Sequence, residues 1–82
     1  MNTRNELRAQ VERLLAEKDD HEPFGDTDSL VLSGRLDSTD VLQIVIFLEN
    51  SYGIDFGDQP FDQQDLDSIG RILALVELRS PA

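Results

Sequence analysis

Three serines in this chain directly follow an aspartate: Asp28-Ser29, Asp37-Ser38 and Asp67-Ser68. A serine at the start of a helix can cap the backbone or offer its hydroxyl as a covalent anchor, and the surrounding residues decide between the two. Other chemistry is thinly supplied. The chain has no cysteine and a single histidine, His21, which lies in an acidic stretch. Nucleophile–base pairs are therefore nearly excluded, and His21 reads as a solvated loop residue. Acid pairs are abundant, but 82 residues leave little room for a cleft to hold them. A calcium loop starting at Asp26 would put Asp26 and Asp28 at its first and third ligand positions. Leu30 at the fifth has no ligand oxygen, Val31 stands where the turn needs Gly, and Asp37 replaces the final Glu, so an EF-hand is rejected. No catalytic residue and no metal site are expected.

Among the three serines, Ser38 is the most promising anchor. Ser29 sits in the middle of a loop and reads as turn chemistry. Ser68 opens the last helix, but Gly70 and Arg71 follow it. Ser38 opens an apolar-rich helix after Gly34-Arg35-Leu36. With Asp37 as cap, Ser38 takes the first helical position, where its amide is unpaired and its hydroxyl projects outward. A phosphodiester on that hydroxyl would lie at the positive end of the helix dipole. Asp37 and Asp40 would oppose such an anion, so a divalent cation is expected to assist attachment.

The elements that must position this serine follow from periodicity. A first helix is predicted over 3–17, opened by a Thr3-Arg4-Asn5-Glu6 capping box and carrying Leu7, Val11, Leu14 and Leu15 on one face. Residues 19–36 form a long polar loop, pinned to the core by Phe24, Leu30, Val31 and Leu32. A second helix is predicted over 38–51, with Gly53 closing it. Residues 54–60 connect it to a short helical turn over 62–65, and the last helix starts near Asp67 or Ser68 with Ile69, Ile72, Leu73 and Val76 on its core face. No segment alternates as a strand does. The expected fold is all-α: one domain over 1–82, a small four-helix bundle of three long helices and one short helix, with a long first loop. Its stability is expected to be modest, on the order of 5 kcal/mol.

The second helix is more apolar than a bundle of this size requires. Val41, Ile44, Val45, Leu48 and Tyr52 suffice for a core stripe, which leaves Leu42, Ile46 and Phe47 over. Either the long loop covers them or they form an exposed docking patch beside the helix start, and the two arrangements can share the residues.

The charge of -10 is unevenly spread. Residues 19–70 hold thirteen acids and a single base, Arg35, whereas the flanking segments are nearly neutral. This charge opposes binding to nucleic acid and to anionic membrane; basic protein surfaces are the natural complement, unless the acidity serves solubility alone. No apolar run reaches membrane-spanning length, and MNTRNELRAQ does not read as a signal peptide, so a cytoplasmic monomer is expected.

The ordered set of features resembles the acyl carrier protein family. GRLDSTD leads into a long apolar helix ending FLENSYGI, preceded by an amphipathic helix and a long loop and followed by an acidic connector, a short turn near Phe61-Asp62 and a final helix. The resemblance implies a 4′-phosphopantetheine arm, drawn from coenzyme A by a phosphopantetheinyl transferase and carried on Ser38, with Asp37 as the acid before it. It implies partner recognition through Asp40, Glu49 and Ile46, beside Thr39, Leu42 and Gln43. Thr39 stands where the family usually has Leu or Met, and Gln43 and Asn50 where glutamates are common; the Asp-Ser-Leu string typical of the family occurs at 28–30, within the loop. These departures suggest a specialised carrier rather than the usual one of fatty acid synthesis. The implied partners are enzymes that load and transfer acyl groups through basic docking surfaces, and the implied cargo is held as a thioester, with a fatty chain able to slip between helices lined by Val45, Leu48, Ile54, Ile69 and Leu73. Fatty acyl, polyketide and aminoacyl (D-alanyl-like) cargoes are not separable from these residues. A different class of function is an unmodified acidic helical adaptor that docks a partner through Leu42 and Ile46.

Overall fold

The computed structural model describes residues 3–57 and 62–79. Among these the chain is all-α, with α1 (Thr3–Glu17), α2 (Ser38–Tyr52), a 3-10 turn (Gln63–Leu66) and α3 (Ile69–Arg79), and no strand. The fourth element of the expected bundle is thus a single tight turn. The Asp65 and Asp67 amides donate to carbonyls three residues back, at 3.0 and 3.2 Å, and such bonds rarely sustain more than a turn. Phe61, expected at the short turn, and residues 58–60 of the connector expected over 54–60 lie outside the described residues.

Helix α1 packs against both α2 and α3, and the 3-10 turn packs on α3. The predicted stripe of Leu7, Val11, Leu14 and Leu15 is buried as expected. Thr3, expected as the cap, is already helical. Glu6, expected to fold back onto that cap, instead accepts a 2.7 Å hydrogen bond from the Tyr52 hydroxyl and ties α1 to the end of α2. Burial and this carboxylate push the Tyr52 hydroxyl up to about 12. The end of α1 is a left-handed cap. Asp19 has φ 61°, its amide donates to the Ala16 carbonyl, and the Asp20 amide donates to the Leu15 carbonyl. This is the hydrogen-bond pattern that turns a chain sharply out of a helix.

The long loop that follows is held at several points. Phe24, Leu30 and Leu36 are buried and Val31 is half-buried. Leu32, expected to join them, is 63% exposed, and Leu36 takes the core position instead. One carboxylate organises the loop's centre. The Asp67 Oδ1 accepts from the Ser29 hydroxyl at 3.0 Å and from the Val31 and Leu32 amides at 2.9 and 2.8 Å, while the Asp67 carbonyl accepts from the Leu30 amide at 2.7 Å. Burial alone would raise the Asp67 carboxyl, but the Leu32 amide, Ser29 hydroxyl and Val31 amide outweigh it and hold the group below its ordinary value. A second fastening joins Asp26 to Arg4 and Arg8, and the Asp26 carbonyl accepts from the Gly70 amide at 2.9 Å. Arg8 also donates to the Phe24 carbonyl at 2.8 Å and lies over the Phe24 ring at 4.5 Å.

On α3 the buried positions are Ile69, Ile72, Leu75 and Val76. Leu73, expected on the core face, is half-buried at its edge. Val45, Leu48, Ile54 and Ile69, which the carrier resemblance would place along a cargo path, are packed into the core. No helix among the described residues is long and apolar enough to cross a membrane.

Candidate functional site

Helix α2 begins where the sequence predicts and is capped reciprocally. Asp37, in extended backbone, accepts from the Asp40 amide at 2.9 Å; the Asp40 carboxylate accepts from the Asp37 amide at 3.0 Å. Two of the unpaired donors at the helix start are thereby satisfied. The Asp40 amide, with assistance from Lys18, holds the Asp37 carboxyl below its usual range, so it is charged at neutral pH. At the other end Gly53, with φ 68°, donates its amide to the Glu49 carbonyl at 3.1 Å.

Ser38 takes the first helical position and is exposed. Its hydroxyl has no hydrogen-bond partner among the described residues. The other two serines are committed. The Ser29 hydroxyl donates to Asp67, and Ser68 is 6% exposed, its Oγ accepting from the Arg71 amide at 3.2 Å as the cap of α3. One Asp-Ser pair is thus a loop fastening, one a buried cap, and one presents an available hydroxyl.

The exposed face of α2 continues from Ser38. Thr39, Leu42, Gln43, Ile46 and Glu49 are all exposed, and positions 38, 42, 46 and 49 follow helical spacing along one side. Leu42 is 58% and Ile46 47% exposed, so the long loop does not cover these surplus apolar residues. Phe47 is half-buried and packs edge-on against Tyr52, with ring centroids 5.9 Å apart.

Asp40, expected in the docking set, is largely withdrawn from the surface. It is 7% exposed, and its carboxylate bonds to Lys18 as well as to the Asp37 amide. Its side chain is spent on closing the helix start. The carboxylates at the exposed face are therefore those of Asp37 and Glu49.

Two functional neighbours escape sequence reading. Lys18, just past the end of α1, bonds to Asp40, donates to the Arg35 carbonyl at 3.1 Å and lies 3.6 Å from the Asp37 carboxylate. Hydrogen bonding to Asp40 raises its pKa, so it stays protonated. Arg35 grips Asp20 with two bonds of 3.1 Å and the Glu22 carbonyl with one of 2.7 Å, and Arg35 holds the Asp20 carboxyl down. Arg35 carried a signal in being the sole base of the acidic middle. Lys18 carried none, because its partners lie 17 to 22 residues away.

The Ser38 hydroxyl is thus exposed at the amino end of a helix and without a hydrogen-bond partner among the described residues, a place where an anion attached to it would be electrostatically favoured by the helix. No protein-family model matches this chain, and a search of curated proteins finds none that matches significantly.

Proposed function

We propose that this protein is a carrier, not an enzyme, which holds acyl intermediates on a 4′-phosphopantetheine arm at Ser38 and presents them to partner enzymes. The observation that carries this reading is the difference among the three Asp-Ser pairs: Ser38 alone combines exposure, an uncommitted hydroxyl and the first position of a capped helix. On this reading the Gln63–Leu66 turn is the short fourth element of a carrier-type four-helix bundle. The protein works as a cytoplasmic monomer.

Attachment is a phosphoryl transfer. The Ser38 oxygen forms a bond to the phosphorus that bears the pantetheine chain in coenzyme A, and the pyrophosphate P–O bond breaks. Adenosine bisphosphate leaves, and the serine proton passes to a base on the transferase. The arm supplies a thiol, which this cysteine-free chain lacks, to hold cargo as a thioester. What the polypeptide contributes is placement: α2 directs its positive end toward the phosphodiester. Leu42 and Ile46 offer apolar contact to acyl-loading and acyl-transferring enzymes, with Asp37 and Glu49 steering toward basic surfaces. The fatty acyl, polyketide and aminoacyl (D-alanyl-like) versions of the cargo share this machinery.

The exposure of Leu42 and Ile46 also favours a second reading, an unmodified adaptor that docks through this patch. Intact mass after incubation with coenzyme A, magnesium and a broad phosphopantetheinyl transferase separates the two. The carrier gains one arm, Ser38→Ala gains none, and Ser29→Ala and Ser68→Ala still gain it. A wild-type chain that gains no mass, while binding its partner with or without Ser38, is the adaptor. Mass analysis of the protein from its native cell identifies the cargo.

A further inference from the structure

The sequence places two carboxylates beside Ser38, where an incoming phosphoryl group would meet like charge. The fold answers this with a cation from another element. Lys18 reaches from the end of α1 to the Asp40 carboxylate, the Arg35 carbonyl and the vicinity of the Asp37 carboxylate. It thereby touches the segment entering α2 on both sides of the Asp37 cap, and its side chain is two-thirds shielded from water. Arg35, whose carbonyl Lys18 holds, is itself fixed through its guanidinium to Asp20 and Glu22, just beyond the same end of α1. The start of α2 is thus braced against the end of α1 by two cations.

We infer that Lys18 is a positioning residue for the modification of Ser38. It holds Asp40 inward as the capping partner, fixes the path of residues 35–37 and so the direction of the Ser38 hydroxyl, and offsets the negative charge that would repel the incoming phosphoryl group. This assignment rests on the carrier reading. It concerns how well the chain serves as a substrate of the transferase, not whether it folds. Lys18 does not touch the reacting atoms; it acts through Asp37, Asp40 and the backbone between Arg35 and Ser38.

The test compares Lys18→Met, Lys18→Arg and Arg13→Met with the wild-type chain as substrates of a phosphopantetheinyl transferase, following arm attachment by intact mass over a range of carrier concentrations. Arg13 is the control for lost charge: it lies on α1, the helix that Lys18 follows, in an exposed pair with Glu17. Lys18→Met is expected to lower kcat/KM for attachment roughly tenfold, with part of the loss in kcat because the hydroxyl is misdirected. Lys18→Arg is expected to recover most of the rate and Arg13→Met to react as the wild type does. Amide exchange, read on the unmodified proteins, is expected to quicken at Asp37 and Asp40 in Lys18→Met and to stay slow from Val41 onward in α2. Wild-type kinetics in Lys18→Met, or an equal loss in Arg13→Met, overturns the assignment while leaving the carrier reading in place. Failure of the wild-type chain to gain an arm overturns both. If Lys18→Met loses its helical circular dichroism, Lys18→Gln decides: it retains a donor for Asp40 without the charge, and wild-type kinetics there likewise overturns the role of the charge.

Discussion

At the scale of single residues, Asp40 and Glu49 separate two jobs that carboxylates on one helix can do. Asp40 closes the start of α2 and bonds to Lys18, whereas Glu49 lies exposed near the other end. Asp40→Ala removes one half of a reciprocal cap and leaves Lys18 without its closest partner. Its expected cost is about 1–3 kcal/mol, read as a lower urea midpoint. Glu49→Gln is expected to change stability by no more than about 0.5 kcal/mol and, on the carrier reading proposed above, to slow acyl loading by a partner enzyme at low salt. Equal loading rates for Glu49→Gln and wild type at low ionic strength would remove Glu49 from the docking face. A similar division holds for the apolar residues: Leu42 and Ile46 are available to a partner, while Leu48 is fully buried.

Among the elements, the long loop depends most on a distant residue. Asp67, at the start of α3, gathers the Ser29 hydroxyl and the Val31 and Leu32 amides onto one oxygen. Asp67→Ala is expected to cost about 2–3 kcal/mol and to speed amide exchange at Val31 and Leu32 before the helices exchange. Loss of protection spread evenly over the molecule would show that the loop has no separate fastening. The junction of α1 and α2 offers a second check. Tyr52→Phe removes the hydrogen bond to Glu6, worth about 1 kcal/mol, and is expected to lower Tm by about 4–8 °C. Because the folded hydroxyl is raised to about 12 from 10.0, its contribution is present below pH 10 and is lost as pH rises through the folded value. Tyr52→Phe should therefore flatten the alkaline limb of a stability profile.

For the whole molecule, local and global electrostatics oppose each other. A net charge of -10 repels itself, so added salt at neutral pH is expected to raise Tm. Acidification relieves the same repulsion but eventually protonates groups the fold uses. Asp20, Asp26, Asp37 and Asp67 all have folded pKa values below the ordinary 3.8. Such groups stabilise the fold above that value, and their contribution disappears as pH falls through the folded values. Thermal unfolding monitored against pH is thus expected to peak in the mildly acidic range and to fall steeply below about pH 4. A midpoint that keeps rising to pH 2 would mean that these pairings contribute nothing net.

The sequence by itself determined the helical class, the stripe of α1 and both ends of α2, and it singled out Ser38 among the three serines, because each rests on neighbours within a turn or two: apolar spacing, Asp37 before Ser38, and Gly53 after Tyr52. It also marked Leu42 and Ile46 as surplus to a core stripe. Only the tertiary structure decided that these two stay exposed, that Leu36 rather than Leu32 is buried, that Ser68 is a sealed cap, and that Asp40 turns inward to Lys18. The physical reason is range. Periodicity and capping act over three or four residues, whereas the contacts that join Lys18 to Arg35 and Asp40, and Asp67 to the long loop, span 17 to 38 residues, and the choice among many acids for each base is made by packing alone.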